Sequence, residues 1–237
     1  APHRATRDVD LLGFGDPSED HIRAVFADVL AVEVDDDGIR FDEGTLDVGP
    51  IREEQDYGGV RVVLIAQMTN AKVRLQVDVG FGDAITPDAV NVDFPPLLDF
   101  PAPTLRAYPR ETVVAEKLEA MVKLGQANSR MKDFYDLAVL SQTFAFEGEL
   151  LARAIAATFA RRGTPLPAGL PVALTPEFTD DRMKTTQWNA FLRKSGAPAL
   201  GELRDVAATI ARFVEEPLSA AAGSTFVKRW APGGPWA

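Results

Sequence analysis

The sequence predicts an α+β protein, with a small sheet-containing lobe over residues 1–106 and a helical lobe over 107–237. Three observations predict it. The first hundred residues carry short runs of period-2 alternation around a single helical pattern. A stretch from 82 to 109 then concentrates Pro87, Pro95, Pro96, Pro101 and Pro103, the composition of a connection rather than of an element. Beyond it, apolar residues recur at helical spacing almost to the end of the chain.

Asp8-Val9-Asp10-Leu11-Leu12 alternates polar and apolar residues, as a half-buried strand does. Pro17-Ser18-Glu19-Asp20 reads as a helix start, with Ser18 or Asp16 as the cap. The segment 21–32 places Ile22, Val25, Phe26, Val29 and Leu30 on one helical face. Short strands are expected near 39–41, 46–53, 60–69 and 72–79. Turns at Tyr57-Gly58-Gly59 and Thr69-Asn70-Ala71 would join them. In the second lobe, helices are expected over 110–124, 131–142, 148–162, 176–194 and 200–214, followed by an irregular tail from Trp230 to Trp236.

Composition excludes several function classes. Hydrophobic residues make up 46%, the level of a globular domain, yet no apolar run approaches the roughly 18 residues of a membrane helix. Nothing at the start reads as a signal peptide, so a cytoplasmic protein is expected. Without cysteine there can be no disulfide or thiolate zinc site, and His3 and His21 are too few for a histidine-rich metal centre. The net charge of −10 disfavours a broad nucleic-acid surface, so any nucleic-acid substrate must meet a local basic patch.

Against that background the carboxylates stand out. Asp8 and Asp10 lie two apart on a predicted strand and project from one face. Such a pair can chelate a hard cation such as magnesium, although two solvated acids on an exposed strand have the same spacing. In Lys72-Val73-Arg74-Leu75-Gln76-Val77-Asp78-Val79 the valines and leucine take one face and Asp78 the other. Asp78 can complete an acidic triplet for two-metal phosphoryl transfer, or pair across strands with Arg61.

Two further residues break the helical pattern. Lys117 falls inside the apolar arc of Val113, Val114, Leu118, Met121, Val122 and Leu124, with Glu116, Glu119 and Lys123 opposite. A lysine there must snorkel, pair with an acid, or point into a site. On the next helix Asp133 falls on the apolar side, with Lys132 and Asp136 further round towards solvent. Asp133 can partner Lys117 or Arg130, and buried pairs of this kind occur in active sites and in structural cores alike.

Taken in order, Arg4-Ala5-Thr6-Arg7-Asp8-Val9-Asp10-Leu11, Leu75-Gln76-Val77-Asp78-Val79, Ala115-Glu116-Lys117-Leu118 and Arg130-Met131-Lys132-Asp133-Phe134-Tyr135-Asp136-Leu137 resemble the successive motifs of AbiEii/AbiGii-type toxin nucleotidyltransferases. Tyr108-Pro109 ahead of the lysine helix also fits. The resemblance implies a polymerase-β-like mixed sheet lobe followed by a helical lobe. It implies transfer of an NMP from an NTP, with magnesium, to an acceptor such as the tRNA acceptor end or another RNA, and a cognate antitoxin as partner. By position it implies Asp8 and Asp10 as catalytic metal ligands, Asp78 as a further metal ligand, and Lys117 and Asp133 as catalytic. Thr6, Lys117, Arg130 and Lys132 would contact the nucleotide.

One departure concerns the glycine pair that the family carries upstream of Asp-x-Asp, where backbone amides cradle phosphate. The sequence opens without methionine and too late to contain it, so upstream residues are expected. Two other readings stay open: a transferase acting on a small molecule or protein, and a degenerate fold that only binds a partner. A basic groove built from Arg61, Lys72, Arg74, Lys123, Arg130 and Lys132 would favour a nucleic-acid acceptor.

Overall fold

In the computed structural model, Thr6 and residues 8–51, 59–96 and 99–237 are described. His3, the start of the first motif at Arg4, Ala5 and Arg7, the end of the expected 46–53 strand and Tyr57-Gly58 of one expected turn lie outside those residues. The chain divides into two compact units, one of Thr6–Asp83 and one containing Ala84–Ala237.

Alternation builds the first unit. Among the described residues its strands are β1 (Asp8–Gly13), β2 (Ile39–Pro50), β3 (Val60–Met68) and β4 (Ala71–Phe81), arranged β1-β4-β3-β2. β1 runs parallel to β4 and the other pairs are antiparallel, which makes the sheet mixed. Along β3, buried Val60, Val62, Leu64 and Ala66 alternate with half-buried Arg61, Val63, Ile65 and Gln67. The buried face receives α1 (Glu19–Leu30) through Ile22, Phe26 and Leu30. Of the two candidate caps Ser18 is the one used: its hydroxyl accepts from the His21 N–H, and Asp16 in turn accepts from the Ser18 N–H and hydroxyl. Val25 and Val29, expected on the packed face, are instead exposed.

The two short strands expected at 39–41 and 46–53 are one strand, β2. A register shift between Asp42 and Asp47 interrupts its pairing with β3. There the Thr45 hydroxyl donates to the Asp42 carbonyl (2.6 Å) and accepts from the Ile65 N–H (2.9 Å), replacing the lost ladder bonds. The turn at Thr69 forms as expected, closing the β3–β4 hairpin between paired Met68 and Ala71 with Thr69 at φ 52°.

In the second unit, the proline-rich stretch contains a hairpin that the sequence reading takes as connection, β5 (Val90–Asp93) with β6 (Thr104–Ala107). The prolines flank these strands, where no ladder donor is lost. The Thr112 hydroxyl, bonded to the Thr86 N–H and carbonyl, ties this stretch to α2. The helices are α2 (Arg110–Leu124), α3 (Met131–Thr143), α4 (Gly148–Arg162), α5 (Pro176–Thr179), α6 (Arg182–Ser195) and α7 (Leu203–Ala220). The single helix expected over 176–194 is broken because Asp181 caps α6, its carboxylate accepting from the Met183 N–H (2.6 Å). α7 runs past 214 and through Pro217, since burial of Phe213, Val214, Pro217 and Leu218 outweighs the local propensity of proline.

The tail is not loose. β8 (Arg229–Trp230) pairs with β7 (Phe146–Glu147), and Arg229 and Ala237 exchange backbone bonds. Both tail tryptophans are buried, Trp230 donating to the Ser141 carbonyl (2.7 Å) and Trp236 to the Phe213 carbonyl (2.9 Å). Tryptophan can be buried this way only where its N–H finds an acceptor, and both do. Trp236→Ala is therefore expected to destabilise the protein by about 3–5 kcal/mol in urea unfolding. A loss below about 0.5 kcal/mol, the scale of a surface substitution, would mean that the tail adds nothing to the core.

Candidate active site

β1 and β4 lie side by side with Asp10 opposite Asp78 and Asp8 opposite Gln76. Parallel pairing in this register turns Asp8, Asp10 and Asp78 to one face, and their carboxylate oxygens come within 4.8 Å of one another. β3 then brings Arg61 beside Asp78 from the other side. The guanidinium grips Asp78 bidentately, Nε to Oδ1 at 2.7 Å and Nη2 to Oδ2 at 2.8 Å. Asp78 is thus both the cross-strand partner of Arg61 and a member of the acidic cluster. The Thr6 hydroxyl donates to Asp8, its hydrogen shared between the carbonyl (2.9 Å) and Oδ1 (3.1 Å). Lys72 and Arg74 are exposed on the Asp78 face of β4, and Arg74 donates to Gln76 (3.3 Å).

The oxygen-only donor set suits a hard divalent cation. Bidentate pairing with Arg61 does not preclude this, because each carboxylate oxygen has a second lone pair. Asp78 can hold a cation while Arg61 fixes its plane, the orienting role that outer partners of metal ligands perform.

The second unit gathers the helical motif residues. Lys117 of α2 reaches α3, where its Nζ lies 2.9 Å from Asp133 Oδ1 and 2.9 Å from Asp136 Oδ2. Asp133 is fully buried, and its other oxygen sits 2.8 Å from Arg130 Nε in an ion-pair contact rather than an aligned hydrogen bond. Burial works against the Lys117 charge. The attraction and hydrogen bonds of Asp133 and Asp136 outweigh it and hold the lysine pKa above its ordinary value. Lys132 is half-buried and forms no ion pair among the described residues.

Asp136 corrects the sequence reading, which turns it towards solvent: it is buried and shares Lys117 with Asp133. The spacing Asp133-x-x-Asp136 held the signal, since residues three apart are neighbours on a helix. Glu116 and Glu119, expected opposite the apolar arc, are also covered. Arg162 of α4 meets both, at 3.5 Å from Glu116 and 2.9 Å from Glu119. Sequence reasoning missed Asn128 and Lys184 altogether, two buried polar residues bonded to each other beside this group.

A mixed sheet that brings three carboxylates within 4.8 Å of one another suits phosphoryl-transfer chemistry with a divalent cation. The family model described as "Nucleotidyl transferase AbiEii toxin, Type IV TA system" matches residues 1–212, and the chain belongs to that family. It is therefore a nucleotidyltransferase of the toxin type, whose family implies an NTP substrate and an antitoxin partner. No curated protein matches the chain. Among solved structures, it is similar to a candidate nucleotidyltransferase from H. pylori at 12% identity and a TM-score of 0.50, covering 94% of this chain and 82% of that one. It is also similar to JHP933 from Helicobacter pylori at 15% identity and a TM-score of 0.50, covering 93% of this chain and 80% of that one. At those identities the likeness is one of fold. No helix among the described residues is long and apolar enough to cross a membrane.

Removing Lys117 would take a shared cation from two buried carboxylates, of which Asp133 keeps Arg130. Lys117→Met is expected to cost about 3–5 kcal/mol of stability, the scale of a broken buried pair. A lysine whose folded pKa is raised contributes stability that is fully present below its unfolded pKa and is lost as pH rises through the higher folded value. The stability gap between wild type and variant should stay level from about pH 8 to 10 and narrow only above about pH 10.4. Denaturant titrations across that range read it. A gap that closes between pH 8 and 10 would mean that Lys117 is not held charged.

Proposed function

We propose that this nucleotidyltransferase transfers an NMP from an NTP to RNA in the cytoplasm, with the tRNA acceptor end as its acceptor and magnesium at Asp8, Asp10 and Asp78. The observation that carries the metal assignment is the convergence of three carboxylates within 4.8 Å on a sheet face where Arg61 braces one of them. The acceptor reading rests on the family resemblance, together with Lys72 and Arg74. These place local positive charge on the Asp78 face of β4 in a chain of net charge −10.

In the reaction, an acceptor hydroxyl loses its proton to solvent as its oxygen bonds to the α-phosphorus, and the bond from that phosphorus to the bridging oxygen breaks with its electron pair leaving on pyrophosphate. Bound magnesium would neutralise charge on the phosphate oxygens and lower the cost of an in-line displacement. The protein supplies position. Asp8, Asp10 and Asp78 hold the ion, Arg61 fixes the plane of Asp78, and Thr6 orients Asp8. Lys117 spends two of its three donors on Asp133 and Asp136 and keeps one for a phosphate oxygen. Asp133 is the acid that keeps this ammonium charged and aimed, and Arg130 and Lys132 are further phosphate contacts.

Incubation of the protein with each labelled NTP, magnesium and total RNA tests the reading. Label is expected in RNA of tRNA size. Asp8→Ala or Asp10→Ala is expected to reduce transfer by at least about a hundredfold, with an unchanged circular dichroism spectrum. Label appearing in protein or in small molecules instead would overturn the RNA acceptor. Wild-type transfer by a well-folded Asp8→Ala, Asp10→Ala double variant would overturn the metal assignment.

A further inference from the structure

The segment between α2 and α3 carries Arg130 and opens the helix of Asp133 and Asp136, yet it is only one 3₁₀ turn (Gly125–Ala127) followed by three residues of no regular structure. The first turn of α3 holds its end, the Met131 and Asp133 N–H groups donating to the Ser129 and Arg130 carbonyls (both 2.9 Å). The Asn128 side of it is held by two buried polar residues. α6 packs on α3 through Trp188, whose ring lies 6.4 Å from that of Tyr135 and whose Nε1–H donates to the Gly201 carbonyl (3.1 Å). Lys184 sits one turn earlier on the same side of α6 and is only 5% exposed. Its Nζ donates to the Asn128 backbone carbonyl (2.8 Å) and lies 4.8 Å from the centre of the Phe178 ring.

No carboxylate pairs with Lys184 among the described residues. An interior ammonium without a counter-ion is costly, and a carbonyl and an aromatic face offset only part of that cost. A methionine would fill the same space with no charge to bury. What the ammonium adds is a hold on one carbonyl, and that carbonyl belongs to the residue that sets Arg130. The Asn128 side-chain oxygen accepts from the Arg130 backbone N–H (2.8 Å), and Asn128 itself is fully buried. Arg130 then meets Asp133, and Asp133 meets Lys117.

We propose that Lys184 is a positioning residue for nucleotidyl transfer, acting through Asn128 to fix Arg130 and, through it, the Asp133–Lys117 pair. This rests on the reading of Lys117, Arg130 and Asp133 as nucleotide-handling residues. Lys184 touches no substrate. Its loss lets the Arg130 backbone drift, and displacement on the order of 1 Å at a reacting group costs roughly a hundredfold in rate.

The test is a double-mutant cycle on transfer from labelled NTP to total RNA, with kcat and the NTP KM measured separately. Lys184→Met alone is expected to lower kcat/KM by about ten- to a hundredfold. Added to Arg130→Met it should cost less than about twofold more, because residues in one chain of contacts do not act additively. Losses that multiply would assign Lys184 a general structural role and overturn the proposal, as would wild-type transfer by Lys184→Met. Should Lys184→Met not fold, Asn128→Ala keeps the ammonium–carbonyl bond and removes only the link to Arg130, with the same non-additive loss expected. If neither folds, the pair is structural and the proposal falls. The underlying reading fails separately: wild-type transfer by both Lys117→Met and Arg130→Met would remove the nucleotide-handling role itself.

Discussion

The pairing of β1 with β4 in a single register is the constraint on which the sheet unit depends. Side chains on a strand alternate, so a slip of one residue would carry Asp8 and Asp10 to the apolar face and bring Val9 and Leu11 to the polar one. Val9 and Leu11 are themselves exposed, so what the register fixes at β1 is the face the acids share with Asp78 rather than a buried apolar contact. Packing holds the β3–β4 part of the sheet, where Val60, Val62 and Val79 are buried with Ile22 of α1. The end of β1 adds a steric stop. Gly13 pairs with Phe81, and a Cβ at that glycine would fall inside contact distance of the Phe81 ring and of Val79. A larger residue there would have to push the Phe81 ring and Val79 aside.

In the helical unit the corresponding constraint is charge. α2 presents Lys117 to α3 on one side and Glu116 and Glu119 to Arg162 of α4 on another, so it is covered nearly all round despite its polar residues. Buried ions are poor sources of stability but strict about geometry, because a rotation of α2 would strand several at once. The apolar core around Phe134, Leu151, Ile155, Phe213 and Trp230 supplies the stability, and it takes in Val114, Leu118 and Met121 of α2. The ion pairs and this apolar face together fix the rotation of α2.

Much of this was legible in local pattern. Alternation along 60–69 and 72–79, the Ser18 cap, and the apolar spacing of 110–124 and 148–162 each depend on residues near in sequence, and the elements lie where they say. The paired acids Asp8 and Asp10 were visible for the same reason. Elements whose signal lies elsewhere in the chain were not. Asp136 reads as a solvent-facing acid until Lys117 arrives from α2, and Glu119 does so until Arg162 arrives from α4. The β5–β6 hairpin is hidden by the prolines around it. Trp230 and Trp236 look like an irregular tail because their acceptors, the carbonyls of Ser141 and Phe213, lie far back in the sequence. Lys184 gave no signal because its partner is a backbone carbonyl, which no side-chain pattern marks.

The central claim is that Asp8, Asp10 and Asp78 act together as one divalent-cation site, and metal binding tests it more directly than turnover does. Manganese can stand in for magnesium at an oxygen site and is read by electron paramagnetic resonance. Titration of the wild-type protein should show saturable binding that weakens by at least about tenfold in Asp10→Asn and likewise in Asp78→Asn, each substitution removing charge but little volume. Equal manganese affinity in wild type and both variants would contradict the shared site, whatever the variants did to activity.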